Sequence, residues 1–405
     1  MLNSQLLGEC SVRPVFFPME NVIQNYAWGS KSSLCELFGI ANDNDEPQAE
    51  IWMGAHSNGC SKVKIKGVET LLSELIQANK NEILGDRVSR NYGELPFLFK
   101  VLCAGNALSI QVHPNKAQAE LGFKNEELLN IPLNAFNRNF KDPNHKPELV
   151  YALTEYQAMN GFRSIEQIKN NFELLAIPEL LELLDILRGN PNSEGLKAFF
   201  SGLLSLEGEK KEMALLELIT HAQLSKAPVF ELIMELNSQY PRDIGLFAPL
   251  ILNVITLKPG EAMYLDAETP HAYLKGTGLE VMANSDNVLR GGLTPKYIDV
   301  SELVSCTVFK EKPFESLLLE PIPNNGIDEY YLPVSDFKFA VISNSSSTVV
   351  HVDSAEVLFA IDDTAVITHS DGDSCVIKKG ESVFVPAYAK NYTVSCKGRV
   401  ARAYC

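Results

Sequence analysis

The chain has 405 residues, more than one ordinary hydrophobic core accommodates, so its length predicts two or three structural units. Its formal charge of −16 argues against nucleic acid or an anionic membrane as a partner. No apolar run reaches the roughly 20 residues that span a bilayer. The eight cysteines are scattered without a C-x-x-C pair, which favours a reduced, cytoplasmic compartment.

The first part of the chain has the pattern of short strands. Apolar runs at 95–103, 108–114 and 147–153 are bounded by Gly, Pro or Asn, as is typical of strands. Between residues 164 and 241 the apolar residues instead recur at helical spacing, which predicts about five helices. Ser164 and Pro178 stand where helices commonly begin. After residue 241 the sequence again has the pattern of short strands, so we expect a mainly β protein with a helical insertion and a second β unit.

The β texture contains a candidate repeat. Residues 257–273, LKPGEAMYLDAETPHAY, resemble residues 377–393, IKKGESVFVPAYAKNYT, with Gly260 aligned on Gly380. A turn glycine followed by a returning strand suits two related β-barrels. Eleven residues after the glycine the first copy has His271 and the second has Asn391, so only the first keeps a potential metal ligand there.

The stretch LSIQVHP contains a second candidate ligand pair. Alternate side chains of a strand share a face, so Gln111, His113 and Ser109 should project together, away from Ile110 and Val112. Such a pair can converge on one metal ion. The alternative is a hydrogen-bonded Gln and His inside a barrel.

Spacing favours the metal site. Gly105 stands six residues before Gln111, which resembles the first cupin motif, G-x5-H-x-H, with Gln in place of the first His. The carboxylate is a choice between two residues. Glu148 enters an apolar strand, where a buried charge needs a partner, whereas Glu120 lies in a polar helical stretch and is expected to be solvated.

Seven motifs, QNYAWGS, AEIWMGAH, GELPFLFKVLCA, LSIQVHPNK, DPNHKPELVYAL, ETPHAYLKG and GLEVMANSDNVLRGGLTPKY, together resemble the type I mannose-6-phosphate isomerases. The resemblance runs from about residue 24 to 305 and more weakly to the C-terminus. It implies a zinc enzyme, with one ion per chain, that interconverts mannose 6-phosphate and fructose 6-phosphate. Such an enzyme could supply GDP-mannose synthesis or serve catabolism.

The resemblance also implies a fold of cupin-type β-barrels, or jelly rolls, plus a helical domain. We expect a catalytic metal-binding cupin domain at 1–155 and 242–310, a helical domain at 156–241, and a metal-free cupin-like domain at 311–405.

Carried over by motif, the resemblance implies the zinc ligands Gln111, His113, Glu148 and His271 and a catalytic Arg290. Nitrogen and oxygen ligands of this kind suit zinc, and only the carboxylate is charged, so the centre stays positive. Such an ion polarises sugar oxygens, and an arginine stabilises enediolate charge without losing its proton.

A chain of this charge needs local cations to bind a sugar phosphate. The motifs supply Lys100, Lys116, Lys146, Arg290 and Lys296. Lys100 interrupts the apolar run PFLFKVLC, so it is either buried beside an anion or extends to the surface.

The spacing of the motifs does not rank the candidates for the general base. The candidates are His145, Lys146, Glu280 and Lys296. Trp28, Glu50 and Ser109 are expected to shape the substrate pocket, although Trp28 suits a plain core position equally well. We expect a monomer, because no long heptad run or obvious interface strand is present.

Two other functions fit parts of this pattern. Two His and one carboxylate also describe non-haem iron oxygenases, but Gln111 would fill a position that oxygen chemistry needs open. A sugar-phosphate sensor could use the same barrel, but binding alone needs neither the metal set nor Arg290.

Overall fold

The computed structural model describes residues 13–405 and divides them into two compact units. The first unit contains the chain up to Cys103 together with Leu279–Asn284 and Leu319–Cys405. The second contains Ala104–Gly278 and Ser285–Leu318. These two units divide the chain at other residues than the domain limits given above, and those limits remain predictions. Within residues 13–405, no helix has the length and apolar character needed to cross a membrane.

The N-terminal stretch alternates short strands with short helices. Its elements are β1 (Phe17–Glu20), β2 (Val22–Gln24), α1 (Ser33–Phe38), β3 (Glu50–Met53), β4 (Lys62–Ile65), β5 (Val68–Leu71), α2 (Leu72–Ala78), α3 (Lys80–Leu84), α4 (Asp86–Asn91) and β6 (Phe97–Ala104). Strand β6 is buried along its whole length, including Lys100. It pairs antiparallel with β3, which places Lys100 opposite Trp52 and Leu102 opposite Glu50.

The next stretch begins the second unit. Its elements are β7 (Ile110–Val112), α5 (Lys116–Leu128), β8 (Glu148–Ala152) and β9 (Tyr156–Phe162). Strand β7 is shorter than the predicted run 108–114, so Ser109 and His113 flank it. Pro114 has no backbone N–H with which to continue a ladder.

Five helices follow, as the apolar spacing predicts. They are α6 (Ile165–Leu175), α7 (Leu181–Gly189), α8 (Ser193–Leu204), α9 (Gly208–Leu224) and α10 (Pro228–Gln239). The predicted start at Ser164 is confirmed, because its side chain accepts a hydrogen bond from the Gln167 N–H as a capping box. Pro178 opens a short 3-10 turn before α7.

The chain then returns to strands. The elements are α11 (Ala248–Ile251), β10 (Leu252–Leu257), β11 (Ala262–Leu265), β12 (His271–Ala283), β13 (Leu289–Gly292) and α12 (Val300–Ser305). Apolar side chains of β7 and β9, among them Val112 and Met159, share one buried core with α6, α8 and α10. The helical block therefore packs behind β7, on the side opposite Gln111.

The C-terminal stretch is almost entirely β. Its strands are β14 (Ile322–Asn324), β15 (Ile327–Tyr330), β16 (Lys338–Ser343), β17 (Thr348–His351), β18 (Glu356–Ala360), β19 (Ala365–Thr368), β20 (Ser374–Ile377), β21 (Ser382–Val385), β22 (Asn391–Cys396) and β23 (Arg399–Tyr404). A nine-stranded sheet runs β14-β15-β16-β23-β18-β21-β1-β4-β5, and a four-stranded sheet runs β17-β22-β19-β20. Sheets with one helical insertion confirm the predicted fold class.

The predicted repeat is confirmed in its turns. Gly260 has φ 95° and Gly380 has φ 81°, the left-handed region that favours glycine. In the first turn the Glu261 carboxylate accepts from the Lys258 N–H at 2.8 Å, and in the second the Glu381 carboxylate accepts from the Lys378 N–H at 2.9 Å. His271 and Asn391 each begin the strand that follows.

The repeat extends to a buried glutamate in each copy. Leu265 on β11 stands opposite Glu148 on β8, and Val385 on β21 stands opposite Glu356 on β18. Leu265 and Val385 lie equally far beyond their turn glycines, so Glu148 and Glu356 occupy matching places.

Candidate metal centre

Strand β7 orders the centre of the site. On one side β12 places His271 opposite Gln111, and on the other side β13 places Arg290 opposite Gln111. Directly opposed residues of antiparallel strands project from the same face. Arg290, Gln111 and His271 therefore form one row across the sheet, on the face away from the helices.

Three buried side chains converge beside this row. The ligand atoms of His113, Glu148 and His271 all lie within 4.8 Å of one another. His113 Nε2 is 3.2 Å from Glu148 Oε1, and His271 Nε2 is 3.4 Å from Glu148 Oε2. Strand β8 pairs with both β11 and β12, which brings Glu148 next to His271. The preference for Glu148 over Glu120 agrees with burial, since Glu120 is exposed on α5.

Backbone carbonyls fix the orientation of both imidazoles. His113 Nδ1 lies 2.6 Å from the Asn287 carbonyl oxygen, and His271 Nδ1 lies 2.9 Å from the Thr269 carbonyl oxygen. A carbonyl only accepts, so each Nδ1 carries a proton, and Nε2 is the ring atom left to present a lone pair to a metal ion. Both lone pairs then face the Glu148 carboxylate, which is itself an acceptor.

Such an arrangement of acceptors fits a cation between them. Within residues 13–405, His113 Nε2 finds no hydrogen-bond donor although it is buried. Burial lowers the pKa of His113 to about 4, so the ring is neutral at pH 7. Two imidazoles, each oriented by a carbonyl, and one carboxylate are a donor set that zinc accepts.

The charge of Glu148 is maintained by its neighbours. Burial alone would raise the pKa of Glu148, but its neighbours, above all the Lys146 ammonium, outweigh that effect and hold the pKa well below its usual range. Lys146 Nζ lies 3.1 Å from Oε1, and the Tyr273 hydroxyl donates to Oε2 at 2.7 Å. The carboxylate is therefore ionised and available as a metal ligand.

Lys296 is influenced by two other cations, Arg290 and Lys141. Partial desolvation and the nearby Arg290 and Lys141 lower the pKa of Lys296, and burial lowers the pKa of Arg290. Arg290 and Lys296 were predicted from the sequence, whereas Lys141 was not. Mutual repulsion of this kind is relieved by a bound anion.

The other predicted residues of the second unit are Lys116, at the start of α5, His145, in the loop before β8, and Ser109. Lys116 donates to the Pro143 carbonyl oxygen at 2.8 Å and reaches Glu120 Oε1 at 3.5 Å, with both side chains exposed. His145 is half-buried in this loop, and Ser109 is half-buried directly before β7.

The remaining predicted residues belong to the first unit. Lys100 is buried, so the surface alternative is wrong: its Nζ lies 2.9 Å from Glu280 Oε2 and 3.5 Å from Glu50 Oε1. The Trp52 indole donates to Glu50 Oε2 at 2.7 Å. Trp28 is half-buried and stacks on the exposed Tyr26, with 5.8 Å between the ring centroids. The alternative of a plain core position for Trp28 is therefore wrong as well.

Two close contacts of the ligands were missed from the sequence. Tyr273 stands two residues after His271, and the spacing that paired Gln111 with His113 would have indicated it. Asn287 holds His113 from 174 positions away, and no local pattern indicates such a contact.

Comparisons with known proteins agree with this geometry. Residues 16–165 match the catalytic domain of type I phosphomannose isomerase, residues 169–252 its helical insertion domain, and residues 327–405 the mannose-6-phosphate isomerase cupin domain. The mannose-6-phosphate isomerase of Salmonella typhimurium is 46% identical over 391 residues, covering 95% of this chain and 98% of the relative. The Rattus norvegicus enzyme is 38% identical, covering 95% and 96%.

Solved structures give the same result. A zinc-bound mannose 6-phosphate isomerase superposes with a TM-score of 0.92 at 45% identity, covering 96% of this chain and 99% of the other. The Salmonella typhimurium enzyme bound to fructose 6-phosphate and zinc gives the same TM-score, identity and coverage. Identity of this extent along nearly the whole chain leaves one assignment: the chain belongs to the type I phosphomannose isomerase family.

Proposed function

We propose that this chain is an aldose-ketose isomerase that interconverts D-mannose 6-phosphate and D-fructose 6-phosphate. We propose zinc as its cofactor, held by His113, Glu148 and His271 with Gln111 as the fourth ligand. The observation that carries the proposal is the buried convergence of two oriented imidazoles on one carboxylate, beside Arg290, in a chain of this family.

The isomerisation moves a proton between C1 and C2 of the open-chain sugar through an enediol. Zinc bound at this site would supply Lewis acidity toward a sugar oxygen. Arg290 shares a row with Gln111 and would place its guanidinium where enediolate charge develops. A half-buried arginine keeps its proton, so it stabilises that charge without exchanging it.

The phosphate group needs a separate set of cations. Arg290 and Lys141 both repel the ammonium of Lys296, and a bound dianion would relieve that repulsion. Lys100 suits this task less well, because two carboxylates already surround its ammonium. We therefore assign the phosphate to the Lys141 and Lys296 side of the second unit.

The general base remains among four residues. Lys146 Nζ lies 3.1 Å from Glu148 Oε1, and Glu280 Oε2 lies 2.9 Å from Lys100 Nζ, so each forms an ion pair. A base must be unprotonated at rest, which an ion-paired carboxylate satisfies and an ion-paired ammonium does not. Glu280 is thus favoured over Lys146, with His145 and Lys296 as the further candidates.

A coupled assay tests the proposed function. Mannose 6-phosphate should yield fructose 6-phosphate, a chelator should abolish turnover, and added zinc should restore it. His271→Ala should lose bound zinc and activity together, because it removes one of three buried ligands. Glu120→Ala is the control, since that carboxylate is exposed and should leave both unchanged. Full activity in the His271 variant with full zinc content would exclude the site.

Two further properties belong to the proposal. The chain is proposed to be monomeric, and light scattering coupled to gel filtration measures this. It is also proposed to be cytoplasmic, since all seven cysteines within residues 13–405 are free thiols. Fractionation of the source cells tests the compartment.

A further inference from the structure

We propose that Asn287 is a positioning residue for the metal centre, one that fixes His113 and couples it to the loop that leads to Glu148. The inference rests on the proposed zinc site. Its starting observation is the 2.6 Å contact between His113 Nδ1 and the Asn287 carbonyl oxygen. The direction of that carbonyl decides where the Nε2 lone pair of His113 points.

The side chain of Asn287 holds this carbonyl in place. It is fully buried, and its Oδ1 accepts from the Lys141 N–H at 2.7 Å and the Asp142 N–H at 3.2 Å. Its Nδ2 donates to the carbonyl oxygens of Asp142 at 2.7 Å and Asn144 at 2.9 Å. One amide thereby clamps the backbone of 141–144 from both its donor and its acceptor side.

Neighbouring groups reinforce the clamp. The Ser285 hydroxyl donates to Asp142 Oδ1 at 2.8 Å and accepts from the Asn287 N–H at 3.2 Å. Asp142 Oδ2 accepts from the Asp286 N–H at 2.7 Å. The loop at 285–287 and the loop at 141–144 are therefore one hydrogen-bonded body.

Each end of this body leads to a group of the site. Past residue 144 the chain reaches Lys146 and Glu148 within a few residues, and past Asn287 it enters β13 with Arg290. Loss of the Asn287 amide would free the carbonyl that orients His113 and the loop that delivers Glu148 at the same time. A residue that only filled space would not connect these two ligands.

The experiment measures zinc release from the loaded protein into a chromogenic chelator. Asn287→Ala should release zinc about 10–100-fold faster, the usual cost of losing a contact that orients a ligand. The visible spectrum of the cobalt-substituted protein should change as well, because the His113 ring is no longer fixed. Asn171→Ala is the matched control: it removes an amide bond to the Leu250 carbonyl oxygen, 2.9 Å long, within the helical block. It should lower thermal stability and leave zinc release and the cobalt spectrum unchanged.

The outcomes separate the possible errors. Wild-type zinc release and an unchanged cobalt spectrum in Asn287→Ala would overturn the positioning role alone. A wild-type protein that binds no zinc would overturn both this role and the proposed function. If Asn287→Ala does not fold, Ser285→Ala decides, since it weakens the same clamp and leaves the Asn287 amide in place. A smaller acceleration of zinc release in that variant supports the role, and no acceleration refutes it.

Discussion

Glu148 is the residue through which the charge of the site is balanced. One carboxylate contacts Lys146, both imidazoles and the Tyr273 hydroxyl, all at 3.4 Å or less. A buried carboxylate is costly unless compensated, and Lys146 already compensates it. A divalent ion bound here would therefore leave excess positive charge, which suits a phosphorylated substrate and an enediolate.

Arg290 can be tested for its chemical role by one substitution. If it stabilises the enediolate, Arg290→Lys should lower kcat by about 100-fold with KM little changed. The lysine keeps the positive charge but lacks the planar guanidinium with its fixed N–H donors, so it should not replace the function of the arginine. Steady-state kinetics, after zinc content is checked, give the answer. A raised KM with unchanged kcat would instead place Arg290 on the phosphate.

The burial of Lys312 determines how the stability of the folded chain should change with pH. Burial lowers its pKa to about 8, while its ammonium donates to Asn160 Oδ1 at 2.9 Å. Between that value and the ordinary lysine pKa the unfolded chain binds the proton and the folded chain does not, so stability rises with pH. Relative to Lys312→Met, the wild type should gain about 2 kcal/mol between about pH 7 and pH 10.

The measurement for Lys312 is urea unfolding of both proteins, followed by circular dichroism at the two pH values. The variant serves as the reference because other groups titrate equally in both chains. A stability difference that stays constant with pH would show that Lys312 is not charged differently in the folded and unfolded states.

At the scale of elements, the helical block has the clearest local determinants. Ser164 caps α6, with a bond of 3.2 Å from the Gln167 N–H. Ser164→Ala should cost about 1 kcal/mol of stability, because a helix N-terminal donor loses its partner. Ser201→Ala, inside α8, is the control and should be neutral or slightly stabilising. Urea unfolding followed at the helical circular dichroism band compares them; equal effects would contradict the cap.

Local patterns account for what the sequence predicted at this scale. Helical spacing, the Ser164 cap and the turn glycines Gly260 and Gly380 each act over a few residues, and each was found. The proposed metal ligands were predicted from short motifs of the same kind. Contacts such as Asn287 with His113 join distant segments and depend on the finished fold, so they were not predicted. The shortness of β7 was missed for the same reason, since its ends depend on its partners β12 and β13.

At the scale of the whole molecule, the two matching glutamates are compensated differently. Glu356 accepts from Arg402 at 2.6 and 2.8 Å and from the Tyr392 hydroxyl. Glu148 instead contacts the Lys146 ammonium and the Nε2 atoms of two imidazoles. The position that an ion would take in the first copy is served in the second by a guanidinium on β23.

Removal of that guanidinium should be costly. Arg402→Met leaves Glu356 buried without its charge partner and should lower the stability of the first unit by about 3–5 kcal/mol. Arg399→Met, on the same strand, breaks a solvent-accessible pair with Asp362 and should cost less than about 1 kcal/mol. Trp28 and Trp52, the two tryptophans of the chain, both belong to the first unit, so their fluorescence follows its unfolding. Equal losses of stability in the two variants would show that Arg402 is not the charge partner that buried Glu356 requires.

Because Glu148 and Glu356 are compensated differently, the two copies of the repeat obtain positive charge from different sources. The counter-ion of Glu356 is encoded in the gene and is present in every molecule that is translated. Glu148 also has an encoded partner in Lys146, but the metal ion proposed to join its carboxylate to the two imidazoles must be taken up from the surroundings, in competition with every other zinc protein of the cell. Zinc scarcity would then weaken the copy that carries the chemistry and spare the other, so starved cells would accumulate chains that are intact in one half and inactive in the other.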